Sequence, residues 1–395
     1  MNNNILCIGK DCTGCGTCAH SCRRGCISMV ANAEGFLYPS VSENCNGCGL
    51  CLKKCPQKEV RQESANKQDA YIGLTKSKKI YKKAASGGIF GTLAKAFLEK
   101  ENTYVCGAAY YEGEVQHVII SKIEEVSLLQ NSKYVQSNLN DVFPRIKTLI
   151  KQGAHVLFCG TPCQVSGLYS YLSNRPENLF TLDLICHGVP SPLFLKKDIA
   201  KYAANDDVKS VVFRWKQPHL AKTKGIFFFY LTTKQGRRKL VSSSFDPYFA
   251  CFMRNESFRE SCYSCHYANL NRCGDITIGD CDSASFYPSF HPDLSRSTII
   301  VNTAQGRNLW ERHSELFEYL PLDLIREASR NHQLHHPSQR PPRRDFIYKD
   351  VVALTAEQMQ QKYCKRQTLL HKCLFIMQQY LPNKITNNML KFVRG

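Results

Sequence analysis

Eight cysteines near the N-terminus carry the spacing that suits thiolate ligation of iron. Cys12, Cys15, Cys18 and Cys22 follow C-x2-C-x2-C-x3-C, and Cys45, Cys48, Cys51 and Cys55 repeat it. Such a run wraps three thiolates round one cubane and sends the fourth to its neighbour. The expected sets are therefore Cys12, Cys15, Cys18 and Cys55 on one [4Fe–4S] cluster, and Cys45, Cys48, Cys51 and Cys22 on the other. Residues 11–18 and 44–51 align as an internal duplication, and Gly14, Gly16, Gly47 and Gly49 permit the tight turns that bring backbone amides to sulfur. A zinc ribbon is the alternative, but a third cysteine at x2 spacing, twice over, exceeds what tetrahedral zinc needs. Pro56 follows Cys55 whereas Arg23 follows Cys22, a local asymmetry that removes no ligand. Cys7 and Cys26 fall outside the spacing and read as spare thiols.

A second group of chemically able residues is scattered. In Phe158-Cys159-Gly160-Thr161-Pro162-Cys163-Gln164 a strand gives way to a helix, with Thr161 suited to the N-cap and Pro162 to the first helical position. Cys163 then falls in the first turn, where a helix N-terminus favours thiolate. The next strand ends at Ile185-Cys186-His187-Gly188, and a strand-helix-strand unit makes the two strands parallel, so both cysteines face one crevice. Cys262 and Cys265 add a C-x2-C pair, and a third [4Fe–4S] cluster on Cys163, Cys186, Cys262 and Cys265 is the expectation, with Cys159, Cys273 and Cys281 as competing ligands. Cys106, Cys251, Cys364 and Cys373 read as small buried hydrophobes. The Ser86-Gly87-Gly88 turn precedes a helix, where amides and helix dipole suit a phosphate, although such turns are more often plain caps. His187 is a candidate proton donor near a redox centre and equally a loop-orienting residue.

These residues need rigid elements behind them. Hydrophobic periodicity predicts helices over 89–100, 142–151, 164–172 and 305–316, and strands over 104–110, 115–121, 155–158, 179–185, 208–215, 225–233, 275–278 and 298–302. The expected fold class is an α+β ferredoxin-like two-cluster N-terminal domain followed by an α/β domain with a mixed sheet, which the family resemblance given below makes flavin-binding. The expected domains are 1–60, 70–334 and a basic tail, 335–395. Polar, lysine-rich residues 57–80 read as a linker or solvated strap, and Leu369, Leu370, Cys373, Leu374, Met377 and Leu381 suggest a basic amphipathic helix in the tail. Packing on the body is the favoured role of that helix, with peripheral membrane contact as the alternative.

The chain has 395 residues, 43% of them hydrophobic, and 21 cysteines. It lacks a visible secretory signal and any apolar run near the ~20 residues of a membrane helix, so a cytoplasmic protein with reduced thiols is expected. Its formal charge of +19 comes from 52 basic and 33 acidic residues. Three thiolate-bound clusters would each subtract about two charges and still leave a basic surface, suited to an acidic redox partner. No arginine-rich block interleaved with aromatics supports nucleic acid.

Six motifs in order carry a resemblance. Besides the ferredoxin run they are Ala85-Ser86-Gly87-Gly88-Ile89-Phe90, Ser132-Lys133-Tyr134-Val135-Gln136-Ser137, Gly160-Thr161-Pro162-Cys163-Gln164, Cys186-His187-Gly188-Val189-Pro190-Ser191-Pro192 and Asp275-Ile276-Thr277-Ile278-Gly279-Asp280. Together they resemble the coenzyme F420 hydrogenase/dehydrogenase beta-subunit family, which includes 7-hydroxymethyl chlorophyll a reductase. The resemblance implies FAD beside a [4Fe–4S] cluster, Ser86, Gly87 and Gly88 by the flavin phosphates, and Lys133, Tyr134, Gln136 and Thr161 lining the flavin. It makes Lys133 and His187 the candidate catalytic residues. It implies an iron–sulfur flavoprotein oxidoreductase passing electrons between a hydride-type substrate at FAD and a one-electron carrier, through three clusters. The expected partners are a ferredoxin-type carrier or enzyme subunit and a small-molecule hydride donor or acceptor. The alternative is an electron-transfer subunit without its own substrate, since some relatives stand in gene neighbourhoods for surface polysaccharides. Gly279-Asp280-Cys281-Asp282-Ser283 departs from the family's Gly-Asp-Phe-Trp-Gly, which bears on the substrate.

Overall fold

A computed structural model describes residues 4–58, 68–203, 206–216, 228–364 and 368. The N-terminal module contains one antiparallel pair, β1 (Ile27–Ala31) and β2 (Leu37–Val41), with two short helices, Thr17–Ser21 and Leu50–Lys53, each entered through a glycine of the cysteine repeat. The body supplies β3 (Asp69–Thr75), β4 (Thr103–Tyr111), β5 (Glu114–Ile120), β6 (His155–Gly160), β7 (Leu179–Leu184), β8 (Val208–Val212), β9 (Phe228–Thr233), β10 (Arg238–Ser242), β11 (Ile276–Asp280), β12 (Ser297–Val301) and β13 (Phe317–Pro321). Eight of these form one mixed sheet in the order β13-β3-β12-β11-β7-β6-β4-β5, and β10-β9-β8 form a separate three-stranded sheet.

The centre of the large sheet is parallel: β4 with β6, β6 with β7, and β7 with β11. Both of its faces are covered, as a parallel sheet requires. Along β6, Leu157 and Cys159 pack into the core with Ile89, Leu93, Val105 and Leu182, while Val156 and Phe158 face Phe143, Val165 and Leu168 on the other side. Period-2 alternation thus splits one strand between two cores. A third core joins Phe194, Phe213, Phe229 and Phe249 to Phe36 of the N-terminal module and to Ile347, Val351 and Met359 near the C-terminal end.

Several expectations change. The strap read over 57–80 is a strand from Asp69 to Thr75, held antiparallel between β12 and β13 with Ile72 fully buried; the flanking lysines masked its apolar stretch. Residues 59–67 lie outside the described residues, as do residues 225–227 of the strand expected over 225–233. The tail read from residue 335 contains helices Arg344–Ala353 and Ala356–Tyr363, whose Ile347, Val351 and Met359 are buried in the body. The amphipathic segment beginning at Leu369 lies outside the described residues. The strand read over 208–215 ends at Val212, and β10 and β13 gave no sequence signal. Among the described residues no helix is long and apolar enough to cross a membrane.

Candidate functional site

In the N-terminal module the two cysteine repeats fold alike. Gly14, Gly16, Gly47 and Gly49 adopt φ of 73°, 73°, 69° and 72°, a left-handed conformation that disfavours other residues. The Gly14 amide donates to Cys12 Sγ at 3.4 Å. Burial pushes the Cys18 thiol far up, and the neighbouring charges of Cys15, Cys12 and Cys55 push it further. Cys55 is pushed up to about 12 by burial first, with Cys15 and Cys12 adding to it. Cys12, Cys15, Cys18 and Cys55 thus share one neighbourhood, the set predicted from spacing. Cys51 is raised by burial and senses Cys45, Cys22 packs beside it, and Cys48 is exposed.

The module is docked on the body by specific bonds. Thr17 Oγ1 donates to Gly167 O at 2.9 Å, Ser170 Oγ to Lys54 O at 2.7 Å, and Arg259 Nε to Cys12 O at 2.6 Å. The Leu37 amide donates to Gln136 Oε1 at 3.0 Å. Arg344, fully buried, grips both carboxylate oxygens of Glu34 at 2.9 and 2.6 Å. Fork-to-carboxylate pairs of this kind fix orientation as well as distance.

At the carboxyl ends of β6 and β7 the chain opens a cavity lined by Cys163, Cys186, Cys262 and Cys265. Thr161 and Pro162 start the helix Pro162–Leu172; Gln164 Oε1 accepts the Thr161 amide at 2.9 Å, and Thr161 Oγ1 lies 3.1 Å from Cys163 Sγ. Cys186 follows β7, which runs parallel to β6. Burial raises all four thiols, and Cys163 senses Cys186, Cys265 and Cys262. The helix N-terminus therefore does not make Cys163 a thiolate in the metal-free chain: desolvation outweighs it, and a bound metal would have to displace the proton. Among the described residues no group of three or more His, Cys, Asp or Glu closes on a single-ion site.

Of the rivals, Cys159 belongs to the hydrophobic core on one face of the sheet and Cys281 lies 3.6 Å from Glu327 Oε2, whereas Cys273 is buried in the core on the other face, against which Cys163 and Cys265 also pack. Glu327, wholly buried, accepts the amides of Ser283 at 2.9 Å and Asp282 at 3.1 Å, so it shapes the loop where the sequence departs from the family pattern. Two buried networks brace the cavity wall. His117 bridges Cys159 O at 3.1 Å and Ser137 Oγ at 3.0 Å, and Gln164 Nε2 donates to the same hydroxyl at 2.9 Å. Asp183 pairs with Arg272 at 3.3 Å and accepts the amides of Cys273 and Gly274 at 3.0 and 3.1 Å.

The residues expected round a flavin fall into two adjoining groups. Gln136, Thr161 and His187 line the cysteine cavity. Burial lowers the His187 ring to about 4, and its carbonyl accepts Ser338 Oγ at 2.9 Å. Tyr134 lies against Phe252 with ring centroids 4.5 Å apart and within the influence of Arg214, which pairs with Asp280 at 2.5 Å. Ser86 Oγ donates to Arg296 O and the Gly87 amide to Ser297 Oγ, both at 3.0 Å, so these two groups are engaged within the protein. Lys133 caps carbonyls at the end of the helix Val126–Leu129, donating to Leu128 O at 3.1 Å and Gln130 O at 2.7 Å, rather than reaching the cavity; burial lowers it to about 7. Sequence reasoning missed Lys216, whose ammonium contacts Ser86 O and lies 3.6 Å from the Tyr81 ring centre, and Arg214 beside it. The Arg214-Trp215-Lys216 run after β8 was the available signal. It also missed Arg259, three residues before Cys262.

Residues 153–322 match the family described as the C-terminal part of the coenzyme F420 hydrogenase/dehydrogenase beta subunit, and residues 11–60 match the 4Fe-4S dicluster domain. The chain thus joins a 4Fe-4S dicluster domain to a region of the coenzyme F420 hydrogenase/dehydrogenase beta-subunit family. Among solved structures, one similar chain comes from the F420-reducing [NiFe] hydrogenase complex of Methanosarcina barkeri, studied with xenon derivatization. It is 20% identical, with a TM-score of 0.46, over 71% of this chain and 97% of that one. No curated protein matches. With its dicluster domain at residues 11–60 the chain is an iron–sulfur protein, and its residues 153–322 fall in a family of oxidoreductase subunits.

Proposed function

We propose that this beta-subunit-like protein is an FAD-dependent iron–sulfur oxidoreductase that moves electrons between a hydride-type substrate and a one-electron carrier. The observation that carries the reading is that Cys163, Cys186, Cys262 and Cys265 line one cavity that Thr13 and Gly14 of the first cysteine loop also line. Four soft ligands on separate elements, with no other evident role, suit an iron–sulfur cluster better than a hard cation. The first ferredoxin set is then next to it, because Gly167, which touches Cys15, lies one helical turn beyond Cys163.

The flavin's place in this reading is the side of the cysteine cavity lined by Gln136, Thr161 and His187, towards Arg214, whose charge His187 senses. Buried donors fit an anionic, hydrogen-bonding ligand there: Trp215 Nε1 and Gln136 Nε2 are buried without partners, Arg214 is a fixed cation, and Lys216, lowered to about 7 by burial and Arg214, would hold its proton more firmly beside an anion. When bound, a flavin exchanges two electrons with a hydride and a cluster passes one at a time, so the pair couples the two kinds of carrier. Of the chain's own groups, Lys216 and Arg214 would neutralise phosphate and Thr161 would fix the start of the Cys163 helix. His187, kept neutral by burial, would present one ring nitrogen as donor and the other as acceptor beside the cavity. Lys133 acts on this geometry as a helix cap, which moves the catalytic expectation to His187.

Anaerobic purification followed by a cofactor count tests the reading. About twelve irons and one FAD per chain are expected. About eight irons would remove the third cluster, and an absence of flavin absorbance would overturn the enzyme assignment. In the second case the chain would be an electron-transfer subunit for a partner enzyme.

A further inference from the structure

Arg259 is 1% exposed, among the least accessible charged residues in the chain. Burying a guanidinium costs several kcal/mol unless anions or acceptors answer it. Only part of this one is answered within the protein. Nε donates to Cys12 O at 2.6 Å, and the group lies 3.9 Å from the Tyr38 ring centre, but Nη1 and Nη2 are buried without hydrogen-bond partners. Both face the region where two cysteine sets approach each other. On one side, a Cβ placed on Gly14 would stand 3.2 Å from Nη1, and the Cys12 thiol feels the positive charge. On the other, the Arg259 carbonyl accepts the Cys262 amide at 2.9 Å, and the Cys262 thiol feels the same charge. The residue lines the cavity together with Gly14 and Cys262. Its backbone is anchored by the N–H donating to Val189 O at 2.9 Å, and its side chain by the Nε bond to Cys12 O.

We propose that Arg259 is a positioning residue that serves two clusters at once: one guanidinium held between the Cys12 set and the Cys262 set, raising the reduction potential of both. This rests on the assignment of the third cluster above. A thiolate-bound [4Fe–4S] cluster is anionic and gains one negative charge on reduction, so a fixed buried cation stabilises the reduced form of each neighbour. Arginine is suited to the task because it stays protonated at any working pH, and its two unpartnered nitrogens point from one planar fork. Gln136 assists: its Oε1 holds the Leu37 amide, and its Nε2, also unpartnered, would be 2.2 Å from a Cβ on Gly14. Only glycine at position 14 lets both side chains reach the first loop.

The experiment is a potentiometric titration of the intact holoprotein, followed by EPR, for the unmutated chain, Arg259→Gln and Arg259→Lys. Gln keeps a donor and loses the charge; Lys keeps a charge without the fork. In the Gln protein both the first ferredoxin signal and the third-cluster signal should become harder to reduce by at least tenfold in the one-electron equilibrium, which is about 59 mV. The Lys protein should shift less than the Gln protein. Unshifted potentials at full iron content, a shift in one signal alone, or equal shifts in Gln and Lys would each overturn the inference. Where the Gln protein does not retain iron, unmutated protein containing 15N-guanidino-labelled arginine decides: pulsed EPR should detect nitrogen coupling on the ferredoxin signal, and its absence overturns the role. An iron content of about eight per chain in the unmutated protein fails the third-cluster assignment instead.

Discussion

Cys15 rests on Gly167: a Cβ added at Gly167 would lie 3.0 Å from Cys15 Cβ and 3.2 Å from its sulfur. Gly167 follows Cys163 by one turn of the helix Pro162–Leu172, so this contact sets how closely the N-terminal cysteine set approaches the cavity.

Gly167→Ala should therefore separate the module from the body. The added methyl would also stand 2.9 Å from Thr17 Oγ1, in a contact with no slack. Overpacking of this kind costs about 1–3 kcal/mol. A lowered melting temperature with both ferredoxin clusters retained is expected and, under the proposed cofactor assignment, slower electron transfer between flavin and ferredoxin clusters in stopped-flow absorbance. An unchanged melting temperature and rate would mean that the interface relaxes.

Under the proposed ligand assignment, replacing Cys163, Cys186, Cys262 or Cys265 by Ala should remove about four irons per chain. Serine at Cys159 or Cys281 should leave the iron content unchanged, because Cys159 sits in the sheet core away from the cavity and Cys281 lies against Glu327. Iron loss in the second group and none in the first would reassign the ligands.

Glu34→Ala should be strongly destabilising for a surface-accessible carboxylate. It would leave Arg344, 1% exposed, without its bidentate partner between the N-terminal module and the helix Arg344–Ala353. Breaking a buried pair from one side costs about 3–5 kcal/mol, and Glu34's partial exposure places the expectation at the low end. Denaturant unfolding measures it, and Glu34→Gln, which keeps an acceptor, should lose less.

Stability should fall with acid through His117. Burial holds this imidazole near a pKa of about 4, against 6.5 in an unfolded chain; the Cys159 carbonyl opposes the shift and Lys133 reinforces it. Between those values the unfolded chain takes up a proton that the folded chain does not. The contribution is therefore complete above pH 6.5 and is lost as pH drops towards 4, amounting to about 3 kcal/mol for a shift of this size. Unfolding curves for the unmutated protein and His117→Gln should converge as pH falls across this window; a constant gap would show that the histidine does not titrate there.

The sequence by itself determined what depends on short stretches of backbone. Ligand spacing, repeated left-handed glycines and the Thr161-Pro162 helix start are all set within a few residues, and the strands of the parallel centre were legible because their apolar runs are continuous. β3 was hidden by the lysines around it, since its burial comes from β12 and β13 rather than from its own periodicity.

Tertiary structure alone decided which distant groups meet. Spacing left Cys159, Cys273 and Cys281 as rivals to the four cysteines at the cavity; alternation across the sheet sends Cys159 into a core, while strand ends and the loop after Arg259 bring the four together. It made Lys133 a helix cap, gave Glu34 to Arg344, and placed Arg259 between two cysteine sets. Each of these is a contact between segments far apart in the chain, and such contacts are fixed by packing and desolvation, which local spacing does not encode.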